Sequence, residues 1–239
     1  MSGTLYGIGV GPGDPELLTL KAHRIISAAR IIAYPAPDTG PSFARAIAAE
    51  YFPDGAVEIP IIVPMRRDRY PAKEIYDKAA NDLSTHLDAG KDVVVLCEGD
   101  PFFYGSFMYL FERLAGTYRS EVVPGVSSMM ACASILGRPL AARNDILSVL
   151  PAPMSEEALE KNLAGAQAAA IIKIGRHFDK VKRVLTKTGL LERAGYVERA
   201  TLPNQVAGRL VDVDPSRAPY FSMILVYKGE EPWTLAPRS

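Results

Sequence analysis

Short β-branched runs alternate with longer amphipathic stretches along most of the 239 residues. Val93-Val94-Val95-Leu96-Cys97 is apolar at every position, which is the pattern of a strand buried on both faces. Before it, residues 5–10, 31–34 and 57–59 read as strands, the second ended by Pro35. Residues 15–29, 42–51 and 71–89 read as helices. Asp14 is placed to cap the first of these. Pro71 suits the first turn of the third, and Gly90 its stop. After the apolar run come a helix over 106–114, a strand over 121–123 and a helix over 127–136. This strand–helix–strand rhythm predicts a largely parallel sheet. Residues 137–144, with Arg138-Pro139, read as a crossing point. Beyond it, 146–150, 169–174, 196–198, 206–213 and 221–227 read as strands, and 155–163 and 178–186 as helices. Hairpin-like pairs among the late strands predict a mixed second sheet. The expected fold is therefore two α/β domains, over 1–136 and 137–239.

Composition narrows the class. Hydrophobic residues make up 48% of the chain, ample for packed cores, and the formal net charge is zero. With no basic block, nucleic acid is not the expected partner. The two cysteines, Cys97 and Cys132, lie in apolar segments without metal-site or redox spacing, so they read as reduced core residues, and no metal is expected. The amino terminus lacks a signal-peptide pattern and no apolar run approaches bilayer length. A soluble cytoplasmic protein without a membrane partner is the expectation.

Two glycine-rich elements carry the candidate chemistry: Gly9-Val10-Gly11-Pro12-Gly13-Asp14 and Glu98-Gly99-Asp100-Pro101-Phe102-Phe103-Tyr104-Gly105. Each follows a strand pattern and precedes a helix pattern. Both therefore fall at strand carboxyl ends, where ligands of α/β sheets bind. A dinucleotide is disfavoured, because the G-x-G-x-x-G fingerprint fails. Counting from Gly9, the third glycine is replaced by Asp14; counting from Gly7, by Pro12. Asp14 and Glu16 also put carboxylates at the helix end that a pyrophosphate needs free of negative charge. These loops suit close backbone approach to a ligand without phosphate, or else simply tight turns needing positive φ.

The segments GIGVGPGDPELLTLKA, CEGDPFFYGSFMYL, VVPGVSSMMACAS, IIKIG and ERATLPNQ, taken in that order, resemble the tetrapyrrole methylases. These are S-adenosylmethionine-dependent methyltransferases of cobalamin and siroheme synthesis. Val63-Pro64-Met65, the Phe107–Leu110 run and Pro124-Gly125-Val126-Ser127-Ser128 resemble most the members that methylate carbon-20 of precorrin-2. The resemblance implies two α/β domains with the cofactor in the cleft between them, and a homodimer. It implies that Pro12 belongs to the first cofactor loop and that Glu98, Gly99 and Asp100 line the cofactor's methionine part, with Phe103 an apolar contact. Ser127 and Ser128 take positions where relatives often carry Thr-Ala, and Ile174 and Ala200 match walls of the second domain. Glu98 departs from the glycine often found there. It marks either a substrate subtype or a carboxylate aimed at the cofactor's ammonium.

Methyl transfer fits these residue types. The step is an in-line displacement from a sulfonium, so alignment and exclusion of water matter most, contributing on the order of 7–11 kcal/mol. No dedicated base stands out among His23, His86 and His177. Asp100 reads as a turn carboxylate bonding backbone amides. Arg66 and Arg67, with Arg69, form a cationic cluster suited to the carboxylates of precorrin-2, or a solvated charge run. Tyr104 is a substrate contact or a core phenol. Two other classes remain for comparison: a dinucleotide oxidoreductase, and a related methylase acting on ribosomal RNA or a protein side chain. The neutral charge weighs against RNA.

Overall fold

The computed structural model describes residues 1–64, 72–214, 219 and 221–229. The chain divides into two compact units, Met1–Ser127 and Ser128–Ser239.

The first unit is built on five parallel strands: β1 (Leu5–Gly9), β2 (Ile31–Ala36), β3 (Val57–Ile62), β4 (Val93–Cys97) and β5 (Ser120–Val123), in the order β3-β2-β4-β1-β5. Its helices are α1 (Leu20–Ile26), α2 (Phe43–Ala48), α3 (Ala72–Asp88) and α4 (Phe107–Leu114). Strand alternation divides the apolar residues between two faces. Val93, Val95 and Cys97 pack with Leu83 and Leu87 of α3 and with Phe107, Leu110 and Leu114 of α4. Val94 and Leu96 pack with Ala22 and Ile26 of α1 and Ala44 and Ile47 of α2. Helices on both faces explain why β4 is apolar at every position. Gly7 leaves room on the α4 side: a Cβ there would stand 2.3 Å from the Phe107 ring.

Two strands run further than expected. β2 continues through Pro35 and β3 through Pro60. β3 is an edge strand, and β4 pairs with β2 only at Ile32 and Ala33. Neither proline therefore removes a donor that the ladder uses. The expected helix over 15–29 is broken instead. Asp14 does accept from the Glu16 N–H at 2.9 Å, but it caps only a 3-10 turn over Pro15–Leu17. Leu18 is extended, and Thr19 caps α1 by accepting from Ala22 N–H at 3.1 Å. A second capping residue, Thr19, restarts the helix.

The second unit comprises α5 (Ser128–Leu136), β6 (Leu147–Pro151), α6 (Glu156–Gly165), β7 (Ala168–Ile172), α7 (Phe178–Lys187), β8 (Ala194–Glu198), β9 (Val206–Arg209) and β10 (Ser222–Tyr227). The sheet order is β6-β7-β10-β8-β9, with β6 and β7 parallel and the other pairs antiparallel, so the sheet is mixed. One face packs on α6 and α7 through Leu159, Leu163, Phe178, Val181 and Leu185. The other packs on α5 through Met129, Cys132 and Ala133. That packing groups α5 with the second sheet, ahead of the crossing point read at 137–144. The strand expected over 206–213 ends at Arg209, where a 3-10 turn over Leu210–Asp212 buries Leu210.

Phe107 is 1% exposed and fills the space left by Gly7. Phe107→Ala should cost about 3–5 kcal/mol of stability, read from the denaturant midpoint. A loss below about 1 kcal/mol would show that the face repacks without it.

Candidate functional site

β4, β1 and β5 are neighbours, and all three end at the same edge of the first sheet. The chain leaves them through loops that touch by main chain. Val10 N–H donates to Cys97 C=O at 2.9 Å, and Gly11 and Gly99 exchange both hydrogen bonds, at 3.3 and 2.8 Å. A Cβ on Gly9 would stand 2.6 Å from Gly99 O, and one on Gly125 would stand 2.0 Å from the same oxygen. Real side chains do not fit at either position. Asp100 locks the arrangement: its Oδ1 accepts from Phe102 N–H at 2.9 Å and its Oδ2 from Gly125 N–H at 3.1 Å. One carboxylate thereby ties the loop after β4 to the loop after β5.

Gly99 differs from the other two. Its φ is +62°, and a Cβ would meet nothing nearer than Val126 O at 4.0 Å, so this main chain borders open space. Pro12 is buried between Gly11 and Gly13. Phe103 and Tyr104 are exposed, with rings edge to face at 5.1 Å. Tyr104 adopts φ +56°, a left-handed conformation uncommon for a bulky residue and of the kind that collects at functional sites. Cys97 is buried and its thiol is pushed up to about 11 by desolvation, which keeps it inert. Glu98, next along, is partly exposed, and its carboxyl is raised above the ordinary range, chiefly by desolvation.

A second gathering lies on the other sheet. β7 and β8 both run antiparallel to the intervening β10, so their carboxyl ends share an edge. Lys173, Arg199 and Thr201 all take positive φ there, at +59°, +50° and +67°. Ile174 is fully buried in the core between sheet and helices, and Ala200 is 8% exposed and packs with the α5 side of the sheet. Glu198 is buried and accepts from the Tyr196 hydroxyl at 2.7 Å and from the Arg199 guanidinium. The Arg199 Nε is buried and has no hydrogen-bond partner. Lys173, Glu198, Arg199 and Thr201 were not singled out from the sequence. A left-handed non-glycine residue leaves no local signature.

The remaining sequence candidates are placed as follows. Ser127 closes the first unit, Ser128 opens α5, and both are partly exposed. Arg66 and Arg67 lie outside the described residues. His23 packs edge to face on Tyr51 at 4.7 Å, and His86 is in the last turn of α3. His177 lies in the 3-10 turn after β7, its imidazole lowered by desolvation and by Lys180 and Arg176. Among the described residues, no group of three or more His, Cys, Asp or Glu side chains is placed to hold a metal, and no helix is long and apolar enough to cross a membrane.

Loops of main chain gathered at strand carboxyl ends, on a parallel sheet accompanied by a mixed one, define a ligand-binding α/β protein. Residues 4–211 match the family model of the Tetrapyrrole (Corrin/Porphyrin) Methylases, and the chain belongs to that family. A precorrin-2 C(20)-methyltransferase from a Sinorhizobium species is 40% identical over 232 residues, covering 94% of this chain and 95% of that one. The cobalamin biosynthesis protein CobIJ of Mycobacterium tuberculosis is also 40% identical, over 235 residues; this chain is covered to 95% but spans only 46% of CobIJ. Among solved structures, a Thermus thermophilus uroporphyrin-III C-methyltransferase complexed with S-adenosylhomocysteine superposes with a TM-score of 0.68 at 25% identity, covering 94% of this chain and 97% of that one.

The glycine contact can be tested against a control. Gly125→Ala should destabilise by about 1–3 kcal/mol and weaken ligand binding at this edge, because its methyl would overlap Gly99 O. Gly116→Ala, which meets nothing within 4 Å, should stay within about 0.5 kcal/mol of the parent. Equal melting temperatures for the two variants would contradict the packing described.

Proposed function

We propose that the chain transfers a methyl group from S-adenosylmethionine to carbon-20 of precorrin-2, giving precorrin-3A in cobalamin biosynthesis. The observation that carries this reading is the Gly9–Gly99–Gly125 main-chain cradle, within a chain that aligns nearly end to end with a precorrin-2 C(20)-methyltransferase. The residues suit a ligand without phosphate. The Glu16 N–H of the first loop is already committed to Asp14, and both side chains are acidic. Gly99, with open space on its outer side, suits close approach of a ligand to main chain.

When bound, S-adenosylmethionine supplies an electrophilic methyl on a sulfonium. This chain's own residues then have a positioning task. Pro12, Glu98, Gly99 and Asp100 would border the methionine part, with Phe103 as an apolar contact. Ser127, which follows the loop after β5, would complete the contacts of this edge. Asp100 acts through the loops, holding two of them at fixed separation. Tyr104, exposed and left-handed in its backbone, together with Arg66 and Arg67, would meet the macrocycle and its carboxylates. Errors near 1 Å in such alignment cost about a hundredfold in rate, so the tilt of the macrocycle selects the carbon. On family grounds the chain is expected to act in the cytoplasm as a homodimer.

Incubation with isotope-labelled S-adenosylmethionine and metal-free precorrin-2, followed by carbon NMR, should place the label on carbon-20. Label on another ring carbon, or turnover confined to cobalt-loaded substrate, would contradict the assignment. Tight NAD binding with no response to S-adenosylhomocysteine in calorimetry would contradict methyl transfer altogether. Sedimentation should give a dimer at micromolar concentration; a stable monomer there would refute that expectation.

A further inference from the structure

Arg199 leaves β8 in a left-handed conformation, φ +50°, with its backbone N–H bonded to Phe221 C=O at 2.9 Å. Its guanidinium donates through Nη2 to the carboxylate of Glu198, which also accepts from the Tyr196 hydroxyl at 2.7 Å. The Glu198 side chain is 8% exposed, against 37% for Arg199, so a buried anchor holds a cation that still reaches solvent. Among the described residues, that is the one hydrogen bond the Arg199 side chain makes. A guanidinium has further donors to place. Its Nε is buried and meets no acceptor. Buried donors are nearly always satisfied in folded proteins, and an exception calls for a reason. A salt bridge serving the fold alone would need neither the left-handed backbone nor the unmatched N–H, both of which cost stability.

The charge around this residue has one sign. β6 runs parallel to β7, and β7 and β8 both run antiparallel to β10, so three strands end at this edge. The loops that leave them, residues 152–155, 173–177 and 199–205, hold Lys173, Arg176 and Arg199 and no carboxylate. The acid that touches Arg199 is Glu198, at the end of β8, and it is already divided between two donors.

We propose that the Arg199 guanidinium, held by the buried Glu198, binds a peripheral carboxylate of the tetrapyrrole substrate. The proposal rests on the reading of the chain as a precorrin-2 methylase. A carboxylate is the group that a guanidinium fork fits, in plane, in hydrogen-bond direction and in sign. The methyl donor also carries a carboxylate, but beside an ammonium, which a basic edge repels. The macrocycle has a rim of carboxylates and no ammonium, so each cation of this edge adds to the attraction.

The experiment compares the parent chain with Arg199→Gln, which removes charge and fork, and with Arg183→Gln, which removes a cation of α7 engaged with Glu156 at 2.6 Å. Arg199→Gln should raise KM for precorrin-2 roughly tenfold to a hundredfold. KM for S-adenosylmethionine, and the affinity for S-adenosylhomocysteine in calorimetry, should stay unchanged. Arg183→Gln should alter none of these. A loss shared equally by methyl donor and macrocycle, a loss confined to the donor, or no loss at all would overturn the proposal. The second of these outcomes would assign Arg199 to the donor's carboxylate, and the others would return it to the fold. If Arg199→Gln does not fold, the parent chain decides. Phenylglyoxal, which modifies accessible guanidinium groups, is applied with and without sirohydrochlorin, the oxidised form of precorrin-2 with the same carboxylates, and Arg199 is followed by peptide mass spectrometry. Sirohydrochlorin should protect Arg199 and S-adenosylhomocysteine should not. Modification that sirohydrochlorin leaves unchanged, or an Arg199 inert to the reagent in the free chain, would overturn the proposal. Failure of the parent chain to bind S-adenosylhomocysteine or to methylate precorrin-2 would instead defeat the underlying reading of its function.

Discussion

The first unit depends on a contact that only glycine permits: the loops leaving β4, β1 and β5 press main chain against main chain at Gly9, Gly99 and Gly125. The 2.0 Å separation between Gly99 O and the place of a Gly125 Cβ leaves no alternative residue at that position. Three glycines in ordered loops carry an entropic cost of roughly 0.5–1 kcal/mol each relative to alanine. The returning terms are visible: the paired hydrogen bonds between Gly11 and Gly99, the Val10–Cys97 bond and the two amides held by Asp100. Behind them stands a strand buried on both faces, β4, which fixes the height of the edge through helices packed above and below.

The second sheet reaches a comparable result by other means. Its shared edge uses left-handed lysine, arginine and threonine, which cost more strain than glycine does. There the buried Glu198 carboxylate, accepting from Tyr196 and Arg199, anchors the turn, and Thr201 N–H is closed by the Gln205 side chain at 2.8 Å. Each unit thus fixes a strand-end turn through one carboxylate, Asp100 in the first and Glu198 in the second.

Strand and helix placement was largely legible in the sequence, because hydrophobic period and punctuation agree over most elements. β4 was read with its observed bounds, and the apolar period gave the long α3 to within a residue or so at each end. Misreadings occurred where tertiary context overrode a local signal. Pro35 and Pro60 look like strand breakers, yet each sits where its missing donor has no acceptor in the ladder. Asp14 looks like the cap of a long helix, yet Thr19 caps the helix that forms. For the site, the glycine spacing pointed to close backbone approach. The contact with Gly125 did not follow from spacing, since it brings a third loop, well separated in sequence from both glycine-rich elements, against Gly9 and Gly99. The Glu198–Arg199–Tyr196 cluster was also invisible, because its burial arises from strand pairing with β10.

The central claim is that the main chain of one strand-end edge holds the methyl donor. Amide hydrogen exchange on the intact chain tests it most directly, with and without S-adenosylhomocysteine. The account predicts added protection in residues 9–14, 98–105 and 124–127 on ligand addition, and none on adding NAD. Ligand binding that leaves these three segments unchanged while protecting others would contradict it.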